Sequence, residues 1–344
     1  MNRIKKTSLL LLFLSGLLAA GCTKMPQGAM LEAVNPDFQK GMTIACWGQH
    51  CLSTADARMS LNRLAESGTR WIALVVTGYQ SWRGDSNIRY ENVDSPDRWA
   101  VRDAVKRARA LGFKIMLKPH VDLDDGSWRG DIEPEDVDAW FAAYSSFLLD
   151  NARQAAELEI EQLVVGTELV RLIRHEDRWR AVIAAVRDVY PGQLLYAASW
   201  NEFESIAFWD ALDYIGINAY FPLTGLKDPS KVDLMQGWEF WLEKLEVWQK
   251  RMGKEIIFTE IGYTTRDGTN MRPYDFWSRA GTDLQEQADC YEIALRVLPK
   301  QRWLKGLYWW YWPTDMTAAA HADGDYSPVD RPAYEALFQA WGQR

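Results

Sequence analysis

Gln162-Leu163-Val164-Val165-Gly166-Thr167-Glu168 and Glu255-Ile256-Ile257-Phe258-Thr259-Glu260 are two short apolar runs, each closed by a glutamate. A strand covered on both faces reads as such a run, which is the mark of a parallel sheet. Working outward, similar runs occupy 41–45, 70–76, 113–118, 194–199, 213–218 and 305–310, making eight in all. Between them the apolar spacing changes to a helical period, as at Leu61, Leu64 and Ala65, or Val101, Ala104, Val105 and Ala108. Trp140, Phe141, Tyr144, Phe147 and Leu148 mark a third helix, and Trp179, Val182, Ile183 and Val186 a fourth. Others are expected near 238–252, 286–298 and 330–341, and Gly68, Gly112 and Gly253 sit where helix C-caps belong. Eight strands alternating with helices predict one α/β domain, a (β/α)8 TIM barrel, with Glu168 and Glu260 at the C-terminal ends of strands four and seven. The link 203–211 is the weak point, with room for only two helical turns.

The N-terminus reads as a targeting segment. Arg3, Lys5 and Lys6 make a basic start, and Leu9 to Leu18 an apolar stretch too short to cross a bilayer comfortably. Ala19-Ala20-Gly21-Cys22 then resembles a bacterial lipobox, although Ala19 stands where leucine is usual. The expectation is a lipoprotein signal peptide over 1–21, a lipid on Cys22, a spacer over 22–38 and the barrel over 39–344. Thr23 in place of aspartate points to the outer membrane if the cell is Gram-negative. A plain secretory signal is the alternative, and it too exports the chain. Membrane contact is expected only through the anchor.

Removing residues 1–21 takes three of the 39 Lys and Arg and none of the 47 Asp and Glu, leaving 36 against 47 and a net charge of −11. That balance argues against nucleic acid and anionic lipid surfaces as partners and suits a neutral polysaccharide. Cys46 and Cys51 are close enough to pair across a loop, or else remain two buried thiols; Cys290 is left over. The chain has no CxxC, and its four histidines lack zinc-ligand spacing, so no metal site is expected. Eighteen tryptophans are the compositional oddity. Aromatic faces stack on sugar rings, but they also fill cores.

Glu168 and Glu260 are far apart along the chain, and only a barrel would bring them face to face across a narrow cleft. Two carboxylates in that position are the equipment of glycoside hydrolysis. Retention needs them about 5–5.5 Å apart, so that one attacks the anomeric carbon while the other protonates the leaving oxygen; inversion needs roughly 6.5–9.5 Å.

Several linked motifs then share one resemblance. Val-Gly-Thr-Glu168-Leu, Phe-Thr-Glu260-Ile-Gly-Tyr, Leu-Lys118-Pro-His120-Val-Asp122 with Trp128-Arg129-Gly, and Asp213-Tyr-Ile-Gly-Ile-Asn218-Ala-Tyr220 are similar to those of glycoside hydrolase family 113, over about residues 38–315. The resemblance implies a clan A β-mannanase that cleaves β-1,4-mannosidic bonds with retention and without a cofactor, Glu168 being the acid/base and Glu260 the nucleophile. Most clan members carry asparagine before the acid/base. Here it is Thr167, so the bond to the sugar's 2-hydroxyl must come from elsewhere.

Other residues are weighed from their strand-end positions. Tyr220 is expected to donate to Glu260. Lys118 and His120 end strand three, where they meet sugar hydroxyls, tune Glu168 or simply form internal pairs. Asp122, Asp124 and Asp125 read as acidic turn residues. Trp128, Trp200, Asn201 and Asn218 are candidate sugar contacts, as are Trp47 and Trp82 on loops. Trp309 and Trp310 must point opposite ways along strand eight, one to the cleft and the other to the helices. Three rivals remain: the same chemistry on another β-glycan, a non-catalytic glycan-binding lipoprotein, and a metal-dependent barrel hydrolase.

Overall fold

The computed structural model describes residues 35–90, 94–316 and 324–342. The signal peptide, Cys22 and most of the spacer lie outside them.

The eight strands are β1 Gln39–Ile44, β2 Trp71–Gln80, β3 Lys114–Leu123, β4 Gln162–Thr167, β5 Gln193–Ser199, β6 Tyr214–Asn218, β7 Ile256–Ile261 and β8 Leu304–Trp312. Each pairs in parallel with the next, and β8 returns to β1, closing the barrel. The helices are α1 Ala55–Glu66, α2 Arg98–Ala110, α3 Val137–Glu157, α4 Glu176–Arg187, α5 Lys231–Met252, α6 Leu284–Val297 and α7 Pro332–Trp341. Gly68, Gly112 and Gly253, just past α1, α2 and α5, have φ of 85°, 84° and 66°, the left-handed turn that stops a helix. Between β5 and β6 the chain makes two 3-10 turns, Phe203–Ser205 and Trp209–Ala211, in place of a helix. β2 and β3 outrun their apolar segments, because the buried mouth of the barrel accepts polar residues such as Thr77 and His120, and β8 runs on through Tyr311 and Trp312.

Two apolar layers hold the barrel. Ala73, Met116, Val164, Leu195, Ala197, Ile257 and Tyr308 fill its interior. A larger layer between strands and helices contains Trp140, Trp179, Trp209 and Trp238. Several buried indoles find acceptors. Trp140 donates to Gln80 Oε1 at 2.9 Å, Trp179 to the Leu172 carbonyl at 3.0 Å and Trp209 to the Phe203 carbonyl at 2.9 Å. Much of the tryptophan content is therefore core. Cys46 and Cys51 form a disulfide, and Cys290 is a buried thiol on α6. No helix among the described residues is long and apolar enough to cross a membrane.

Candidate active site

Both glutamates are buried at the C-terminal mouth. Gly166 makes the end of β4 possible: a Cβ there would lie 2.7 Å from the Tyr196 ring and 2.8 Å from Trp179. Two residues on, Glu168 adopts φ 52°, a left-handed conformation that costs a non-glycine residue about 1–3 kcal/mol. The backbone is pinned on both sides of it. Glu168 N–H donates to the Ala197 carbonyl, and Leu169 N–H to Tyr196 Oη, both at 2.9 Å.

Glu260 extends from β7 and has each oxygen engaged. Oε1 pairs with the Lys118 ammonium, and Oε2 accepts from Tyr220 Oη at 2.7 Å. Lys118 also donates to the Thr259 carbonyl at 3.2 Å and to Asn218 Oδ1 at 3.4 Å. An ammonium has three protons and all three have acceptors, so Lys118, fully buried, has none left for a sugar. Its expected place as a substrate contact is corrected: it grips Glu260. Burial depresses the Lys118 pKa while the Glu260 carboxylate pulls it up. Burial and Glu260 together push the Tyr220 phenol well above its ordinary range, so it remains a donor.

Glu168 is held differently. Trp128 Nε1 at 3.3 Å and Arg129 Nη1 at 3.4 Å both approach its Oε2. The guanidinium is oriented by Asp122 Oδ1, which accepts from both Nε and Nη2. Gly130 lets the Trp128 ring fold back over the turn; a Cβ at that position would come 2.4 Å from the ring. Burial first, and the Glu260 charge second, raise the Glu168 pKa, with Arg129 acting against them. A carboxyl whose pKa is raised by burial and by a neighbouring carboxylate is suited to proton donation.

His120 lies flat against Trp310, with centroids 6.0 Å apart and planes at 11°. Its Nε2 is 3.9 Å from Glu260 Oε1. Burial, aided by the Arg129 and Lys118 charges, lowers its pKa well below the ordinary value and keeps the ring neutral. Trp310 is the cleft-facing member of its pair. Trp309, expected as a candidate sugar contact, is fully buried and stacked 3.8 Å from Tyr291 of α6, which corrects that expectation. Alternation along β8 sends it to the helices.

Of the loop residues, Trp200 stacks on Tyr274 at 5.5 Å, while exposed Asn201 accepts from Ser199 Oγ at 3.0 Å. Trp47, Trp82 and Trp128 are substantially exposed. The three acidic turn residues have partners: Asp122 with Arg129, Asp124 with the distant Arg89, and Asp125 with Ser127. Sequence reasoning quoted Arg129 without giving it a role, and it missed the clamp on Glu168. Asp122 and Arg129 are seven positions apart, and nothing in that spacing shows that the loop folds back. It also missed Tyr326, which packs 5.8 Å from Tyr220 and donates to the Pro273 carbonyl at 2.6 Å, tying the loop after β7 to the neighbourhood of Glu260.

A closed parallel barrel with two buried carboxylates at its mouth, one raised in pKa and one held by a cation and a phenol, is the architecture of a glycoside hydrolase. The family model of Glycoside Hydrolase Family 113 matches residues 43–330, and the chain belongs to that family. Among solved structures it is similar to the family 113 β-mannanase AaManA from Alicyclobacillus acidocaldarius in complex with ManMIm, at 31% identity and a TM-score of 0.81, covering 90% of this chain and 98% of that one. It is also similar to a family 113 β-1,4-mannanase in a complex, at 26% identity and a TM-score of 0.82, covering 89% and 99%. A family 5 mannosidase from Rhizomucor miehei shares the fold at 10% identity and a TM-score of 0.61, covering 88% and 92%. No curated protein matches the chain.

Proposed function

We propose that this protein is a retaining β-mannanase that hydrolyses β-1,4-mannosidic bonds in mannan and mannooligosaccharides by double displacement. Glu260 attacks the anomeric carbon as the bond to the leaving oxygen breaks, and the electron pair of that bond takes the proton of Glu168. Glu168, now a carboxylate, removes a proton from water, which attacks the glycosyl ester and frees Glu260. The observation that carries the reading is the contrast between the two carboxyls: Glu260 has a cation and a phenol on its oxygens, while burial and the Glu260 charge raise Glu168. The similarity to family 113 mannanases supports the choice of mannan.

Glu260→Ala should abolish turnover in a protein that still folds, with a lowered melting temperature because the buried Lys118 ammonium loses its counter-charge. Azide should restore part of the activity and yield the α-mannosyl azide; undiminished hydrolysis by the variant would remove the assignment. Product analysis on mannooligosaccharides of graded length identifies the substrate and the cutting mode together. From the sequence alone, we further propose export and lipid attachment at Cys22, as expected for a lipobox. Labelled fatty acid should be incorporated by the wild-type precursor and not by Cys22→Ala.

A further inference from the structure

Two polar atoms beside the glutamates are buried with no hydrogen-bond partner: His120 Nε2 and Asn218 Nδ2. Buried polar groups are nearly always paired, so an orphan at a reaction centre marks a partner that arrives with the ligand. The orientation of the Asn218 amide is determined by its neighbours. Lys118 can only donate, so the Asn218 atom it meets is Oδ1, which also accepts from Thr259 Oγ1 at 2.9 Å. Nδ2 is thereby turned toward Glu168 without reaching bonding geometry. His120 stacks on Trp310, and its Nε2 lies 3.9 Å from Glu260 Oε1.

At that separation the two atoms do not bond each other. A single hydroxyl oxygen, however, can lie at about 2.8 Å from both. The chemistry says which hydroxyl. The anomeric carbon must come within about 3–3.5 Å of a Glu260 oxygen, so the hydroxyl on the adjacent carbon lies within reach of the same carboxylate. Thr167, immediately before Glu168, donates its hydroxyl to the Pro119 carbonyl at 3.4 Å and is turned toward β3. His120 is the next residue but one along β3 from Lys118 and presents the unpartnered atom.

Resting on the mannoside reading above, we propose that His120 reads the 2-hydroxyl of the scissile sugar, with Nε2 and Glu260 Oε1 gripping that one oxygen from two sides. The Nε2 proton is donated to the hydroxyl oxygen, and the hydroxyl proton to the carboxylate. The unpartnered His120 atom is then satisfied without a second cation. A sugar with an equatorial 2-hydroxyl directs that oxygen elsewhere and leaves Nε2 buried and unpaired. Such a loss discriminates far more strongly than a missing apolar contact. Nδ2 of Asn218 remains available on the acid/base side of the same ring.

The test compares an aryl β-mannoside, its 2-deoxy analogue and the aryl β-glucoside, using wild type, His120→Phe and His120→Gln. Phenylalanine keeps a flat ring against Trp310 but offers no nitrogen; glutamine keeps a donor. Hydrogen bonds to the 2-hydroxyl strengthen in the transition state, so His120→Phe should lower kcat/KM for the mannoside on the order of 100-fold, mostly in kcat. The same change should alter the 2-deoxy analogue only a few-fold and narrow the manno-to-gluco ratio. His120→Gln should recover part of the mannoside rate. If His120→Phe does not fold, the loss on mannoside relative to 2-deoxy analogue in His120→Gln decides. Equal losses on those two substrates overturn the inference while leaving the mannanase reading intact. Failure of the wild type to cleave any β-mannoside overturns that reading and the inference with it.

Discussion

Glu168 and Glu260 stand on strands four and seven of one barrel, yet their surroundings are built on opposite principles. Glu260 is gripped by a buried ammonium and a phenol, and that ammonium also donates to Asn218 and the Thr259 carbonyl. Glu168 has longer contacts to an indole and a guanidinium, both on a single oxygen, and a backbone held in an uncommon conformation. Close charge-assisted bonds favour an ionised carboxylate. Weaker contacts, burial and a neighbouring negative charge favour a proton. Chemically identical side chains are thus placed in opposite electrostatic settings by their neighbours alone.

The largest break in this contrast comes from Lys118. In Lys118→Met the Glu260 carboxylate stays buried without its cation, and removing one member of a buried pair destabilises by about 3–5 kcal/mol. The melting temperature should fall clearly, and hydrolysis should be lost even where the protein remains folded; calorimetry and steady-state kinetics check both. A stable, active Lys118→Met protein would mean that the ion pair does not orient Glu260.

Tyr220→Phe removes one bond to the same carboxylate and leaves the ammonium in place. Hydrogen bonds to charged groups contribute about 1.5–3 kcal/mol, so kcat should drop roughly 10- to 150-fold with KM little changed. An unchanged kcat would reduce Tyr220 to a packing residue.

The smallest effect sharpens the comparison from the Glu168 side, through the pH profile. Glu168 must be protonated to act as acid, so its pKa sets the alkaline limb of kcat/KM. Arg129 favours the ionised form, and Arg129→Gln should raise the pKa and move that limb to higher pH by roughly one unit. Asp122 offsets the Arg129 charge, so Asp122→Asn should leave a stronger cation beside Glu168 and move the limb the other way. The groups acting electrostatically on Glu168 or acted on by it are Glu260, Arg129, Lys118, Glu202, Tyr196, Tyr220 and Tyr326. Of these, burial pushes Glu202 up to about 8. Shifts of the same sign in the two variants would rule out an electrostatic role for Arg129.

Particular residues show how far the chain could be read in advance. β4 ends at Thr167 as its apolar run does, because both faces of that strand are covered along its whole length. β3 continues five residues beyond Lys118, through Pro119, His120 and Asp122, where composition signalled an end. Local pattern registers polarity but not the long-range partners that make buried polarity tolerable. For the same reason, Lys118 was placed at the mouth but assigned to the wrong partner, since its counter-charge lies 142 positions away on another strand. The choice between Trp309 and Trp310 needed the facing of β8, which depends on register with β1 and β7.

The order of apolar runs, their glutamate endings and the capping glycines were enough to determine an α/β barrel with two acids at one end. These are local properties: strand burial, helical period and left-handed turns are written in adjacent residues. The tertiary structure decided which acid has its pKa raised, which tryptophan sees the cleft and which histidine nitrogen is left without a partner. Those outcomes depend on desolvation and on charges delivered from distant strands, and neither quantity is carried by neighbours along the chain.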